Sequence, residues 1–156
     1  MGAVYFYHLT RRPLEAALPQ LLARSLEQEW TVLVRGRNPR RLEQLDEQLW
    51  TFAEESFLPH GLSDGAEDPR HPILLTAGTL ALGGRDCLMA IEGAEVDPAE
   101  VGTAKRVCIL FDGTDPAALE RARDQWRGLT KEGLEAQYWS EESGRWEKKA
   151  ESAPAP

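Results

Sequence analysis

The chain has 156 residues, of which 42% are hydrophobic and 28% charged, and its formal net charge is −8. A chain of this length and composition fits one globular domain that buries its apolar surface without disulfides or metals. The negative charge argues against broad, sequence-independent binding to nucleic acid or to an anionic membrane, because both need a dominant basic surface. A local basic patch for an acidic peptide is still compatible with it.

The chain contains only two cysteines, Cys87 and Cys108, each within an apolar run. This usage makes a disulfide framework implausible and indicates a reducing compartment. The apolar segment at residues 4–10 is short and follows no basic residues, unlike a signal peptide. No run approaches the roughly 18 apolar residues of a membrane-spanning helix. We therefore expect a soluble, cytoplasmic protein.

The first half of the chain alternates predicted strands and helices. Two runs rich in β-branched and aromatic residues predict strands, at residues 4–9 and 30–35. Between them, apolar residues repeat at helical spacing from Leu14, and Pro19 is the awkward residue. This helix therefore either starts at residues 16–19 or bends there. A second helix is predicted over residues 40–52, and the β-α-β-α order predicts parallel strands with right-handed crossovers.

The second half continues the alternation. Apolar runs predict three more strands, at residues 73–76, 87–91 and 106–111. A short helical turn at residues 97–101 separates the last two. A long helix follows Asp115, an N-cap with Pro116 at the first helical position, and ends at residues 131–133. A last apolar segment at residues 136–139 precedes a polar turn.

Residues 1–150 are therefore expected to form one three-layer α/β/α domain with a central, mostly parallel sheet, and residues 151–156 a disordered tail. This Rossmann-like arrangement raises the question of nucleotide binding, which needs glycine for close backbone approach to phosphate. The turn after the first strand, HLTRRP, has no glycine, and neither GxGxxG nor GxxxxGK[ST] occurs in the chain. The sequence predicts no nucleotide site and no cofactor.

The segment LFDGTD, at residues 110–115, partly resembles the DxDGT motif of haloacid-dehalogenase-like phosphatases, in which the first Asp is the nucleophile. Leu110 occupies that position here, and a leucine cannot form an acyl phosphate. A strand-to-helix turn with its cap is the favoured interpretation. A hydrolase or phosphatase built on Asp112 is kept as the alternative.

The histidines His8, His60 and His71 give no better indication of catalysis. They lie at a strand end and in loops, without the short-range spacing of metal ligands. Ser56 near His60 is a weak candidate for a nucleophile, because any chain contains such pairs. We predict no catalytic residue and no metal site.

Three segments carry a pattern that covers almost the whole chain in order. The first is FYHLT, the second is LDEQLWTFAEESFLPHGL at residues 45–62, and the third is RVCILFDGTDPAALERARDQW at residues 106–126, followed by YW and GRWEKKA. With LD..LW......SF.PH as the most specific part, the chain resembles the chi subunit of bacterial DNA polymerase III. The resemblance implies an α/β accessory protein of the clamp-loader complex without catalytic activity. It also implies binding to the acidic C-terminal tail of single-stranded DNA-binding protein, and to the psi subunit through another surface.

The last long helix is where the resemblance implies the tail site. An acidic peptide that ends in an aromatic residue needs a cation for its carboxylate and an apolar pocket for its ring. Arg123 matches the family's tail-binding arginine. The other residues of this helix assigned to the site are Leu119, Arg121, Trp126, Arg127 and Lys131. In the alternative interpretation, Trp126 belongs to the core and the arginines form a solvated face.

Two residues depart from the family pattern at this site. Leu119 stands where other chi proteins have a lysine, one turn before Arg123. Asp112 lies at the end of the preceding strand, where a carboxylate would repel an acidic tail. We expect Arg121 or Lys131 to compensate, or the peptide to bind in a shifted position.

The psi-facing surface is expected at Trp50 and Phe57, which match the family's aromatic pair, with Phe52 and Leu58 beside them. Exposed aromatic residues of this kind are typical interface anchors. In the alternative interpretation they fill the core beneath the following loop. The leucines of the same helix are assigned to the core, at Leu42, Leu45 and Leu49. A DNA-repair helicase that uses the same surface is the alternative partner, and DNA is reached only indirectly.

Overall fold

The computed structural model describes residues 3–10, 13–50, 60–62, 72–77, 82–141 and 146–152, without the side chain of Trp50. Its elements follow in the order β1 (Ala3–Leu9), α1 (Leu14–Glu27), β2 (Val32–Arg35), α2 (Pro39–Trp50), β3 (His60–Leu62), β4 (Ile73–Thr76), β5 (Cys87–Ile91), α3 (Pro98–Thr103), β6 (Arg106–Asp112), α4 (Pro116–Lys131), β7 (Ala136–Ser140) and β8 (Glu147–Ser152). None of the helices in these ranges is both long and apolar enough to cross a membrane.

The strands form one sheet in the order β3-β4-β2-β5-β6-β1-β7-β8. Neighbouring strands are parallel from β3 to β7, and only β8 runs antiparallel, against β7. Strands β2, β4 and β5 are buried along their whole length, as expected for apolar runs that are covered on both faces. The prediction of an α/β fold with a mostly parallel sheet is confirmed.

The sheet separates two hydrophobic cores. On one face, α1 and α2 pack through buried leucines, among them Leu18, Leu22, Leu42, Leu45 and Leu49. On the other face, α3 and α4 pack through Val101, Ala122 and Leu129 against Phe6 and its neighbours. The predicted three layers and the core role of the α2 leucines are confirmed.

Three local features differ from the sequence-based predictions. Helix α1 begins at Leu14, ahead of the predicted alternative start at residues 16–19, and contains the buried Pro19. Residues 60–62 form the short strand β3, which pairs with β4, and the buried His60 is fixed to α2 by contacts of its Nε2 with the carbonyl oxygen (3.0 Å) and Oδ1 (3.2 Å) of Asp46. Strand β8 includes Glu151 and Ser152, the first two residues of the expected tail, whose other four residues lie outside the described ranges.

Helix α4 depends on Asp115 at its N-terminus, where the carboxylate accepts a hydrogen bond from the N–H of Ala117 at 3.0 Å. We expect Asp115→Ala to lower the free energy of unfolding by about 1 kcal/mol, because one donor of the first turn loses its partner. Asp124→Ala is the matched control, since that exposed carboxylate only pairs with Arg127 and should change stability by less than about 0.5 kcal/mol. Urea denaturation followed by circular dichroism measures both, and equal effects would contradict the cap assignment.

Candidate functional site

Helix α4 presents two rows of side chains on opposite sides. The first row contains Leu119, Arg123 and Trp126, which are spaced three and four residues apart. The ring of Trp126 contacts Phe6 of β1 at 5.3 Å and Tyr138 of β7 at 6.2 Å between centroids. The first row therefore faces β1 and β7.

The second row of α4 faces the turn after β5. The Nε2 amide of Gln125 donates to the carbonyl oxygen of Ala94 at 3.1 Å. The guanidinium of Arg121 lies directly on Gly93, so closely that a Cβ atom there would be 2.5 Å from the arginine. Arg121, which we assigned to the same site as Arg123, thus lies on the opposite side of the helix.

Two residues that the sequence analysis did not assign to the tail site lie beside the first row. The imidazole of His8 stacks on Phe111 with 5.2 Å between ring centroids, and its Nδ1 is 2.7 Å from the hydroxyl of Tyr138. Because side chains alternate along a strand, His8 points to the same face of β1 as Phe6. That alternation was the available signal, but 130 residues separate His8 from Tyr138. We call His8, Leu119, Arg123, Trp126 and Tyr138 the Arg123 surface.

The positively charged side chains of α4 differ in whether they form an ion pair. Arg127 forms an exposed ion pair with Asp124 at 2.8 Å. Lys131 is exposed in the last turn of the helix. Arg123 is exposed and, within the described part of the chain, has neither an ion pair nor a hydrogen bond through its side chain. It is therefore available to an external carboxylate.

Asp112 is held within the turn that follows β6. Its Oδ1 accepts hydrogen bonds from the hydroxyl of Thr114 at 2.6 Å and from the N–H of the same residue at 2.9 Å. These bonds lower the pKa of Asp112, and the nearby His8 lowers it further. The carboxylate is thus ionised at neutral pH. The neighbouring Leu110 is buried, and the position of a phosphatase nucleophile is occupied by a side chain of the core.

A cavity of about 570 Å³ opens at the carboxyl ends of β1 and β6, between α1 and α4. Ligands of open α/β sheets bind at such a point, where neighbouring strands lead to helices on opposite faces. The charged residues among its described lining are Glu15, Arg41, Glu92, Asp112, Asp115 and Arg121. Arg41 already contacts Glu15 and lies 3.9 Å from Glu92. Burial raises the pKa of Glu92 despite this arginine. An excess of carboxylates disfavours phosphate here, in agreement with the absence of a glycine-rich loop.

The predicted psi-facing residues lie outside the described part of the chain. This applies to Phe52, Phe57 and Leu58 and to the side chain of Trp50, so their exposure stays a prediction. The backbone of α2 reaches Trp50 on the face of the sheet opposite α4.

Comparison with known proteins gives similarities of sequence and of fold. The family model described as "DNA polymerase III chi subunit, HolC" matches residues 1–137 and so ends within β7. DNA polymerase III subunit chi of Pseudomonas aeruginosa (strain PAO1) is 30% identical over 141 residues, which cover 88% of this chain and 95% of that protein. The solved C-terminal domain of a possible DNA helicase from Lactobacillus plantarum WCFS1 matches with a TM-score of 0.50 and 14% identity, over 71% of this chain and 74% of that one. At this identity, the last similarity concerns the fold alone.

Proposed function

The chain belongs to the DNA polymerase III chi subunit family, and from this premise we propose that it is a non-catalytic subunit that links single-stranded DNA-binding protein to the clamp loader. The family makes it an accessory protein of the replisome. The link has two parts, the acidic C-terminal tail of the binding protein on one side and a clamp-loader component on the other. We place this chain in the cytoplasm, and with a net charge of −8 it reaches DNA only through its partners.

The observation that carries the tail site is the free guanidinium of Arg123 beside an aromatic cluster. A guanidinium binds a carboxylate through two parallel N–H···O bonds. Trp126 is only partly buried against the second core, and its ring lies next to that of Tyr138. A peptide that ends in an aromatic residue with a free carboxylate matches this combination.

The departures from the family pattern are consistent with this site. Leu119 packs partly against the core and adds apolar surface where other family members have a cation. The carboxylate of Asp112 is bound to Thr114, which limits its reach toward a ligand. Arg121 lies on the other row of α4, so it does not provide the compensating charge that the sequence led us to expect there.

Titration of a labelled peptide that copies the tail tests the proposal. We expect micromolar binding by the wild-type protein and a loss of about 10-fold to 100-fold in Arg123→Ala, the equivalent of one charge-assisted hydrogen-bond pair. Arg24→Ala is the matched control, because this exposed arginine of α1 lies on the face of the sheet opposite α4 and should change the affinity by less than about 3-fold. Unchanged binding in Arg123→Ala, or an equal loss in both variants, would contradict the assignment of Arg123 to the tail-binding site.

The second partner is proposed to bind at Trp50 and Phe57, with Phe52 and Leu58 around them. The support is the family motif that contains these residues and the position of α2 on the face opposite α4. Immobilised wild-type protein should retain the psi subunit, or another clamp-loader component, from a defined mixture of purified subunits. Trp50→Ala and Phe57→Ala should abolish this retention and leave peptide binding unchanged. Retention of a repair helicase instead would favour the alternative partner.

A further inference from the structure

His8 is fixed on three sides at the edge of the Arg123 surface. Its ring stacks on Phe111, its Nδ1 is bonded to the hydroxyl of Tyr138, and its Cδ2 and Nε2 atoms lie against Gly113. A Cβ atom on Gly113 would be 1.7 Å from the ring, so only glycine leaves room for this orientation. The imidazole is therefore held in one position without the help of a ligand.

The second ring nitrogen of His8 is partly accessible. Its Nε2 makes no hydrogen bond within the described part of the chain and is not fully buried there, although one side of it lies against Gly113. When the Tyr138 hydroxyl donates to Nδ1, the neutral ring carries its proton on Nε2. When the ring is protonated, the same hydroxyl accepts from Nδ1–H. Nε2–H can thus be a donor in both states, and Tyr138 remains a partner in both.

The charged groups around His8 determine what protonation changes. Asp112 lies beside it at the end of β6 and interacts with it electrostatically. Tyr138 is the titratable group that contacts it from β7, and the buried Glu141 follows the strand. Arg123 is the charged residue in the row of α4 that faces β1 and β7. A proton on His8 therefore offsets Asp112 next to the proposed binding site of an acidic peptide.

We propose that His8 is a further tail-binding residue, whose Nε2–H donates to a carboxylate of the acidic tail and whose protonation strengthens binding below neutral pH. This inference rests on the proposed function of the Arg123 surface. In this proposal His8 offsets the negative charge of Asp112, a role that the sequence had led us to expect from Arg121 or Lys131. Carboxylates of a peptide ordinarily stay ionised between pH 8 and pH 5.5, so a change of affinity over this range reports on a group of the protein.

Peptide titrations at pH 8.0 and pH 5.5 test the inference. We expect the wild-type protein to bind about 5-fold more tightly at pH 5.5, the gain of one partly exposed ion pair. His8→Gln places an amide donor near the position of Nε2 but cannot be protonated, so it should bind like the wild type at pH 8.0 and gain nothing at pH 5.5. His8→Asn keeps a partner for Tyr138 and has no group at Nε2, so it should bind more weakly at both values. An equal gain in His8→Gln, or no gain in the wild type, overturns the inference.

Arg123→Ala separates this inference from the proposed function. Loss of binding in Arg123→Ala, together with a flat pH dependence in the wild type, overturns the role of His8 alone. Intact binding in Arg123→Ala overturns the Arg123 surface itself. The ¹⁵N chemical shift of His8 Nε2 in the wild-type protein is a second readout that does not depend on a folded variant. It should move on addition of the peptide, and a shift that stays constant while the peptide binds overturns the inference.

Discussion

Replacing Glu100 with alanine is expected to lower the free energy of unfolding by about 3–5 kcal/mol. Glu100 receives two hydrogen bonds from the guanidinium of Arg35, at 2.9 and 2.8 Å, and Arg35 is only 7% exposed. The same carboxylate accepts from the N–H groups of Leu82 and Asp97, at 3.3 and 3.2 Å. Its removal therefore leaves a buried cation without its carboxylate and weakens the N-terminal cap of α3.

An exposed ion pair of the same chain provides the control for Glu100→Ala. Lys148 and Glu151 are 2.9 Å apart in β8, with side chains that are 43% and 50% exposed. Glu151→Ala should change the stability by less than about 1 kcal/mol, because solvent screens such a pair. Urea denaturation followed by tryptophan fluorescence measures both variants. Stability losses of the same size in both variants would mean that another group stabilises the charge of Arg35 when Glu100 is absent.

The effect of Glu100→Ala should also depend on pH. The hydrogen bonds from Arg35 lower the pKa of Glu100 from its ordinary value of 4.5. A carboxyl group whose pKa is lowered by folding contributes stability at neutral pH, and this contribution is lost as the pH falls through the folded-state pKa, below about 4.5. The difference in unfolding free energy between the wild type and Glu100→Ala should therefore shrink between pH 7 and pH 3. A constant difference would contradict this account.

Adding one methyl group at Gly113 is expected to destabilise the protein, whereas the same change at Gly128 should stabilise it. At Gly113 the new Cβ atom would overlap the His8 ring, which is stacked on Phe111 and bonded to Tyr138. Displacing the ring should cost about 1–3 kcal/mol. At Gly128, inside α4, the new atom would meet nothing within 4 Å. Alanine there should add about 0.5–1 kcal/mol, because it favours the helix.

Thermal and urea denaturation measure the stability of the two glycine variants. We expect the unfolding free energy to fall in Gly113→Ala and to rise in Gly128→Ala. Both variants replace glycine with alanine. Effects on stability that come from this replacement alone are therefore the same in both and cancel in the difference between them. Gly113→Ala should also weaken binding of the tail peptide as His8→Asn does, and Gly128→Ala should leave it unchanged. Equal stabilities of the two variants would show that the His8 ring moves aside at no cost.

The sequence predicted the parts of the fold that local patterns encode. Strands β2, β4, β5 and β6 are apolar runs because they are buried on both faces, and the N-cap Asp115 marks the start of α4. Strand β3 was missed because it has three residues, one of them Gly61, and is held through the buried His60. The position of β1 between β6 and β7 depends on pairings between distant residues, which no local pattern encodes.

For the candidate site, the sequence identified the residues that lie on one helix. Arg123 and Trp126 came from the family resemblance and share a row of α4, whereas Arg121 is turned to the opposite side. His8 and Tyr138 were not assigned to the site, because only the sheet brings β1 and β7 together. The hydrogen bonds of Asp112 to Thr114 were likewise not expected from its sequence position, which suggested only repulsion.

The central position of β1 has a consequence for synthesis on the ribosome. The first strand to be made pairs with residues from Arg106 to Asp112 and from Ala136 to Ser140. At about 5–20 residues per second, the second of these partners emerges on the order of ten seconds later. During that time β2, β4 and β5 can already pair, but the nascent chain exposes both edges of β1. Both edges of β1 therefore stay unpaired until β6 and β7 have been synthesised, and the sheet is completed only after its other strands are made.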